Sequence, residues 1–254
     1  MKRLVIAPTA VDAARVAAAI VVRAVARKRR AVLALPTGRT AEALYDAVLQ
    51  EAARRRVRFG GVTTFNLDEF ADRGAGGTTY RAFLTAYLVR KLQPPPRRTH
   101  FLNGRARNWR REVARYERAI SRAGGLDLCV LGLGTNGHIA FNEPGRSLPV
   151  ATGRVRLARS TRRANASAFG GDARRVPRFG LTMGVGTLLG ARTVLLLATG
   201  QRKRIAVRRA LTGPITTAVP ASLLQLHPNV LVVIDRAAAG ALPREARRKA
   251  GSVG

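Results

Sequence analysis

Six short apolar runs recur along the chain, at residues 4–7, 31–35, 62–66, 126–132, 193–198 and 230–234. Between them lie stretches whose apolar residues have helical spacing, at 11–27, 40–54, 79–92, 109–123 and 203–211. Strands that alternate with helices predict a parallel sheet covered on both faces. The expected class is therefore α/β, as a three-layer α/β/α fold around a mostly parallel, Rossmann-like sheet. No composition shift or fixed-period repeat divides the 254 residues, so 1–254 reads as one domain. The proline run QPPPRR (93–98) is a stiff connector too short to separate domains. Residues 147–178 are polar and arginine-rich, either a flap over a site or a long surface connection, and 244–254 form a basic tail.

Composition narrows the function classes. Apolar residues make up 46% of the chain, too many for a disordered protein. A single cysteine, Cys129, excludes a disulfide framework and a cysteine-based zinc site; in the run LDLCVLGLG it reads as a buried, inert thiol. The N-terminal stretch reads as a strand, a turn and a helix interrupted by Asp12, Arg15 and Arg23, not as a signal peptide. No run reaches the roughly 18 apolar residues of a membrane span, so a cytoplasmic protein is expected. The net charge of +32 invites a nucleic-acid reading. Yet arginine is scattered over the whole chain, and aromatics for base stacking are 5% of residues. Nonspecific attraction of polyanions and of anionic substrates is what this charge implies.

In such sheets ligands bind where loops leave the carboxyl ends of the strands. Four loops carry residues suited to chemistry. LPTGRT (35–40) leaves a strand and opens a helix, where unpaired N–H groups favour an anion; Thr37, Gly38, Arg39 and Thr40 are its candidates. An ordinary capped turn is the competing reading. TTFNLDEF (63–70) runs a strand into Asp68 and Glu69; a carboxylate there serves as a general base or caps the next helix. GLGTNGHIAFNEPG (132–145) places His138 in a glycine-rich turn, five residues before Glu143. Histidine exchanges protons near neutral pH, and a carboxylate on its other ring nitrogen would fix its tautomer. A satisfied structural histidine accounts for the pattern as well. Finally, Arg162 in STRRANASAF and Lys203 in ATGQRKRIAV are candidate phosphate clamps, although a lone arginine in so basic a chain is by default a solvated surface residue.

Together LPTGRT, FNLDEF, GLGTNGHIAFNEPG, TRRANASAF, VPRFGLTMGVGTLL and LLQLHPNVLVVIDRAAA resemble the glucosamine-6-phosphate deaminase family, which is related to the 6-phosphogluconolactonases. GHIAFNEP is characteristic of the deaminase branch. The resemblance implies conversion of D-glucosamine 6-phosphate and water to D-fructose 6-phosphate and ammonia. By that likeness His138 opens the pyranose ring with Glu143 as partner, and Asp68 moves a proton from C2 to C1. Thr37, Gly38, Arg39, Thr40, Arg162 and Lys203 would hold the 6-phosphate, with no metal or organic cofactor required. Two positions depart from the common pattern. Asn136 stands where many members have aspartate, so charge support for His138 falls to Glu143. Arg39 stands where glycine is usual, and fits only if the backbone does not need a positive φ. Some bacterial members are hexamers activated by N-acetylglucosamine 6-phosphate. Arg154 and Arg156 resemble part of that effector site but are unremarkable in so basic a chain, and effector control is not expected; a homo-oligomer is an open expectation. The alternatives are another sugar-phosphate reaction on the same scaffold, such as 6-phosphogluconolactone hydrolysis, and a noncatalytic sugar-phosphate sensor.

Overall fold

The computed structural model describes residues 3–71, 79–248 and 250–251. In chain order the first elements are β1 (Arg3–Ala7), α1 (Ala10–Arg27), β2 (Val32–Leu35), α2 (Arg39–Arg54), β3 (Thr63–Asn66), β4 (Asp68–Phe70) and α3 (Tyr80–Leu84). A π-helical turn at Thr85–Val89 continues α3; then come β5 (Arg98–His100), α4 (Trp109–Arg122), β6 (Leu128–Gly132), β7 (Gly153–Arg156) and α5 (Arg159–Ala164). The chain closes with β8 (Phe179–Thr182), α6 (Val185–Leu189), β9 (Thr193–Ala198), α7 (Arg204–Thr212), β10 (Val230–Asp235), α8 (Arg236–Ala239) and α9 (Arg244–Arg248).

Seven strands form one sheet in the order β1-β10-β9-β6-β2-β3-β5. Every pairing in it is parallel. Both faces are buried, and the pleat sorts the side chains between them. Along β2, Val32 and Ala34 face one core while Leu33 and Leu35 face the other. β6 divides in the same way, with Cys129 and Leu131 against Leu128 and Val130. Helix α1 covers the second core with Ala13, Ala14, Ala17, Ala18, Val21, Val22 and Val25, a stripe at helical spacing. Thr9 caps it by accepting from the Asp12 N–H. α4 covers the first core with Tyr116 and Ile120. Among the described residues, no helix is long and apolar enough to cross a membrane.

From β2 the chain steps outward through β3 to β5, whereas from β6 it steps the other way through β9 and β10. The reversal between the adjacent strands β2 and β6 opens a crevice at their carboxyl ends, the place where such sheets bind ligands.

The structure adds a second, antiparallel sheet, β4-β8-β7, which the sequence reading did not foresee. It sits over a small aromatic core of Phe70, Phe141, Leu157, Phe169 and Val176. Residues 147–178 accordingly contain β7, α5 and a 3-10 turn at Ala166–Phe169. In the basic tail, α9 is followed by Gly251, whose N–H donates to the Leu4 carbonyl at the β1 edge (2.8 Å); Lys249 and residues 252–254 lie outside the described residues.

Candidate active site

The crevice is a cleft of about 950 Å³, within the range of small-molecule sites. Its walls are the segments that follow β2, β3, β6 and β9, with Tyr80 of α3 and part of α5. Of the ten residues singled out from sequence, eight line it: Thr37, Gly38, Arg39, Thr40, Asp68, Asn136, His138 and Lys203. Glu143 stands behind His138, and Arg162 lies elsewhere.

One end is cationic. Gly38 caps α2 with φ of 98°, a backbone that side chains rarely adopt. The helix begins at Arg39 with ordinary helical geometry, so the departure from glycine at 39 is sterically accommodated. No side chain caps α2; the Ala41 and Glu42 N–H groups donate to the Gly38 carbonyl (2.8 and 3.2 Å), which leaves those of Arg39 and Thr40 without acceptors in the helix. Lys203 approaches from the β9 side and donates to the Leu133 carbonyl (2.5 Å). Burial pulls the Lys203 ammonium below its ordinary pKa, and the Arg39 charge pulls it further. An anion bound here would relieve both effects. The Gly200 N–H at the head of this loop is pinned by Asp235 (2.9 and 3.0 Å).

The Asp68–Glu69 pair divides its labour. Successive strand residues face opposite ways, so only one of the two reaches the cleft. Glu69 turns inward and accepts from the N–H groups of Phe70, Tyr80 and Arg81 (2.9–3.0 Å), capping the start of α3. Asp68 lines the cleft. Burial pushes its carboxyl well above the ordinary range, and the Glu69 charge adds to that. Tyr45, Tyr80 and Tyr116 all lie close enough for the Asp68 charge to raise their phenols, though burial is the main cause in each. A carboxylate held this dry is a stronger base than one in water.

His138 leaves the turn after β6. Gly134 makes room for its ring: a Cβ at 134 would lie 2.4 Å from Nδ1 and Cε1. Gly137, with φ of 91°, turns the chain just before it. Nδ1 lies 3.4 Å from Glu143 Oε2 and 3.3 Å from Thr161 Oγ1, which leaves Nε2 for the cleft. Asn136 does not bond the ring. Its amide donates to Glu143 Oε2 (2.9 Å) while its carbonyl oxygen accepts from the His138 backbone N–H (3.2 Å). Burial raises the Glu143 pKa, but hydrogen bonding and charge from His138, with help from Thr161 and Asn136, outweigh it and hold the carboxyl below its ordinary value. The pair is thus an imidazole braced by an ionised carboxylate. The two other histidines are structural: His227 is held by the Ala191 carbonyl (2.7 Å), and His100 stacks on Phe65.

Arg162 departs from its expected place. Its guanidinium donates to the carbonyls of Ala173 (2.9 Å), Val176 (3.0 Å) and Arg174 (3.1 Å), and it is not among the cleft-lining residues. The turn before β8 presents three acceptors that match the fork of donors on one arginine. Sequence reading missed Tyr80, Thr161 and Asn165, which line the cleft. The Tyr80 hydroxyl donates to Asn165 Oδ1 (3.0 Å). Thr161 and Asn165 flank Arg162 in the segment STRRANASAF, and neither carries a charge or spacing that marks it. Cys129 is buried, and burial pushes its thiol up, as expected of an inert core residue. Among the described residues, no group of three or more His, Cys, Asp or Glu is arranged to hold a metal ion.

Comparison with known proteins places this geometry among relatives. The family described as glucosamine-6-phosphate isomerases/6-phosphogluconolactonase matches residues 7–233. Glucosamine-6-phosphate deaminase 2 of Bacillus subtilis is 38% identical over 239 residues, covering 93% of this chain and 96% of the relative. Glucosamine-6-phosphate deaminase of Hahella chejuensis is 41% identical over 241 residues, covering 94% and 92%. Among solved structures, a monomeric glucosamine-6-phosphate deaminase superposes with a TM-score of 0.87 at 35% identity, over 94% of this chain and 99% of that one. A 6-phosphogluconolactonase from Trypanosoma cruzi gives a TM-score of 0.73 at 18% identity, over 95% and 97%, a likeness of fold alone.

Proposed function

The chain belongs to the family of glucosamine-6-phosphate isomerases and 6-phosphogluconolactonases, and we propose that within it the protein is a glucosamine-6-phosphate deaminase. It converts D-glucosamine 6-phosphate and water to D-fructose 6-phosphate and ammonia. The observation that carries this reading is that Asp68 and His138 border one cleft that Arg39 and Lys203 also line.

The 6-phosphate sits at the start of α2, against the N–H groups and side chains of Thr37, Gly38, Arg39 and Thr40, with Lys203 opposite. Anchoring the phosphate makes the steps at the other end effectively intramolecular. His138, through Nε2, takes the proton from the anomeric hydroxyl and delivers it to the ring oxygen, opening the pyranose. Glu143 balances the imidazolium while it lasts. Asp68 then removes the C2 proton to give an enol-type intermediate and returns a proton to C1. Water adds to the resulting C2 imine, and ammonia leaves. Burial suits Asp68 to the harder proton, the one on carbon.

The same reading makes the protein a cytoplasmic enzyme that acts without a metal or organic cofactor. The 46 basic residues of the chain attract polyanions without sequence preference. The lactonase alternative shares the scaffold, but the deaminase-type turn with His138, Glu143 and Asn136 favours an amino sugar. The test is release of ammonia and fructose 6-phosphate by purified protein, set against acid release from 6-phosphogluconolactone, at low and moderate salt. Turnover of the amino sugar with an inert lactone is expected. Lactone hydrolysis alone would reassign the reaction, and binding without either turnover would make the protein a sensor.

A further inference from the structure

We infer that Thr161 is a positioning residue for ring opening: its hydroxyl, delivered by α5, holds the Glu143 carboxylate and His138 Nδ1 in one fixed arrangement. This rests on the deaminase reading of the cleft.

Thr161 is 2% exposed, and its Oγ1 lies 3.3 Å from His138 Nδ1. The same hydroxyl is one of the groups that hold the Glu143 carboxyl below its ordinary pKa. A hydroxyl can donate one hydrogen bond and accept two. With Nδ1–H as the donor to Oγ1, the hydroxyl hydrogen is free to turn toward the carboxylate that Nδ1 also faces. Glu143 Oε2, the other partner of Nδ1, is 3.4 Å away. Thr161 therefore gives Nδ1 a second partner beside the carboxylate.

Its own placement is heavily determined. The entrance to α5 gives the Ala158 N–H to Glu143 Oε1 (3.2 Å), and Ser160 Oγ stands 3.5 Å from the Asn136 amide. Behind it, the Thr161 carbonyl accepts from the Asn165 side chain (2.9 Å) and backbone N–H (3.1 Å). Arg162, one residue on, ties α5 to the turn at 173–176. Glu143 thus receives donors from two elements, the turn after β6 and α5. The titratable groups facing it are His138 and the Tyr80 phenol of α3, whose proton its charge helps to retain. Removing one donor from a carboxylate that remains buried moves its titration upward.

The test compares Thr161→Val, Thr161→Ala and Thr161→Ser. Valine keeps the shape without the hydroxyl; alanine gives the same reading with less bulk should valine unseat α5. Loss of a hydrogen bond to a charged group predicts kcat lower by about tenfold or more in both, with KM close to the parent. The acid limb of the kcat profile moves to higher pH, and serine restores rate and limb together. In the substrate-free proteins, carbon-13 NMR of the Glu143 carboxyl reads the same effect without turnover: its midpoint rises in valine and alanine and returns in serine. Parent-like kcat and an unmoved Glu143 midpoint in the valine and alanine variants would overturn the inference. So would a serine variant as impaired as valine, which would make Thr161 a packing residue. Absence of deaminase turnover in the parent would defeat the reaction assigned to the cleft, while the NMR midpoints would still decide the contact.

Discussion

Gly134→Ala isolates the placement of His138. A methyl at 134 would lie 2.4 Å from Nδ1 and Cε1 and 2.5 Å from Cγ, about 1 Å inside the 3.4 Å at which ordinary contact begins. The backbone at 134 does not have positive φ, so alanine is tolerated there and the ring must give way. Retreat by about 1 Å disturbs the contacts to Glu143 at 3.4 Å and Thr161 at 3.3 Å. A misplacement of that size costs on the order of 10²-fold in rate when the displaced group does the chemistry. The assay is steady-state ammonia release, with thermal unfolding as the control for fold. Gly145→Ala serves as the comparison, because its methyl would meet nothing closer than 3.5 Å. The expected result is kcat down about a hundredfold at 134 and near-parent kcat at 145, with KM similar in both. A Gly134→Ala enzyme with parent kcat would refute the claim that the position of this ring limits the reaction.

Three further perturbations follow from the same geometry. Asn136→Asp replaces a donor 2.9 Å from Glu143 with a second negative charge, so the carboxylates share a proton to higher pH and the acid limb of the rate profile moves up; an unmoved limb would contradict the role of Asn136. Lys203→Met should cut kcat/KM for glucosamine 6-phosphate by about 10- to 100-fold, the loss of one charged hydrogen bond, while leaving turnover of unphosphorylated glucosamine unchanged; equal losses on both sugars would remove Lys203 from the phosphate end. Asp68→Asn should stabilise the fold at neutral pH. Burial raises the folded-state carboxyl above its ordinary value of 3.8, so ionising it costs stability as pH rises from that value through the raised one. The variant's advantage in Tm should therefore grow across that interval and vanish below it, and a variant less stable than the parent at pH 7 would show that the charge is better solvated than the burial indicates.

What the sequence revealed follows the strength of its patterns. β2, β6, β9 and β10 are buried on both faces and read as continuous apolar runs. Their loops carry the catalytic candidates, so strand ends and site emerged together. β5 was missed because Arg98–His100 is three residues long on a sheet edge, with no apolar face to betray it. The second sheet escaped for a related reason: Gly153–Arg156 and Phe179–Thr182 are short, and their partners are fixed by tertiary packing. The helix expected at 79–92 exists as α3 and a π-helical turn, a change of hydrogen-bond register that apolar spacing does not encode. The block STRRANASAF made Arg162 a candidate clamp against the default of a solvated arginine, yet carbonyls of the turn before β8 hold its guanidinium. Thr161 carries no charge and no distinctive spacing, and only the folding of α5 over the turn after β6 reveals it beside His138.

The account depends most directly on Asp68 as the carbon base acting on a sugar whose ring His138 has opened. Glucosamine 6-phosphate turnover by Asp68→Asn, measured beside calorimetric binding of the same substrate, tests this in one comparison. The account predicts loss of ammonia release with substrate affinity retained. Ammonia released by the asparagine variant at the parent rate would contradict it.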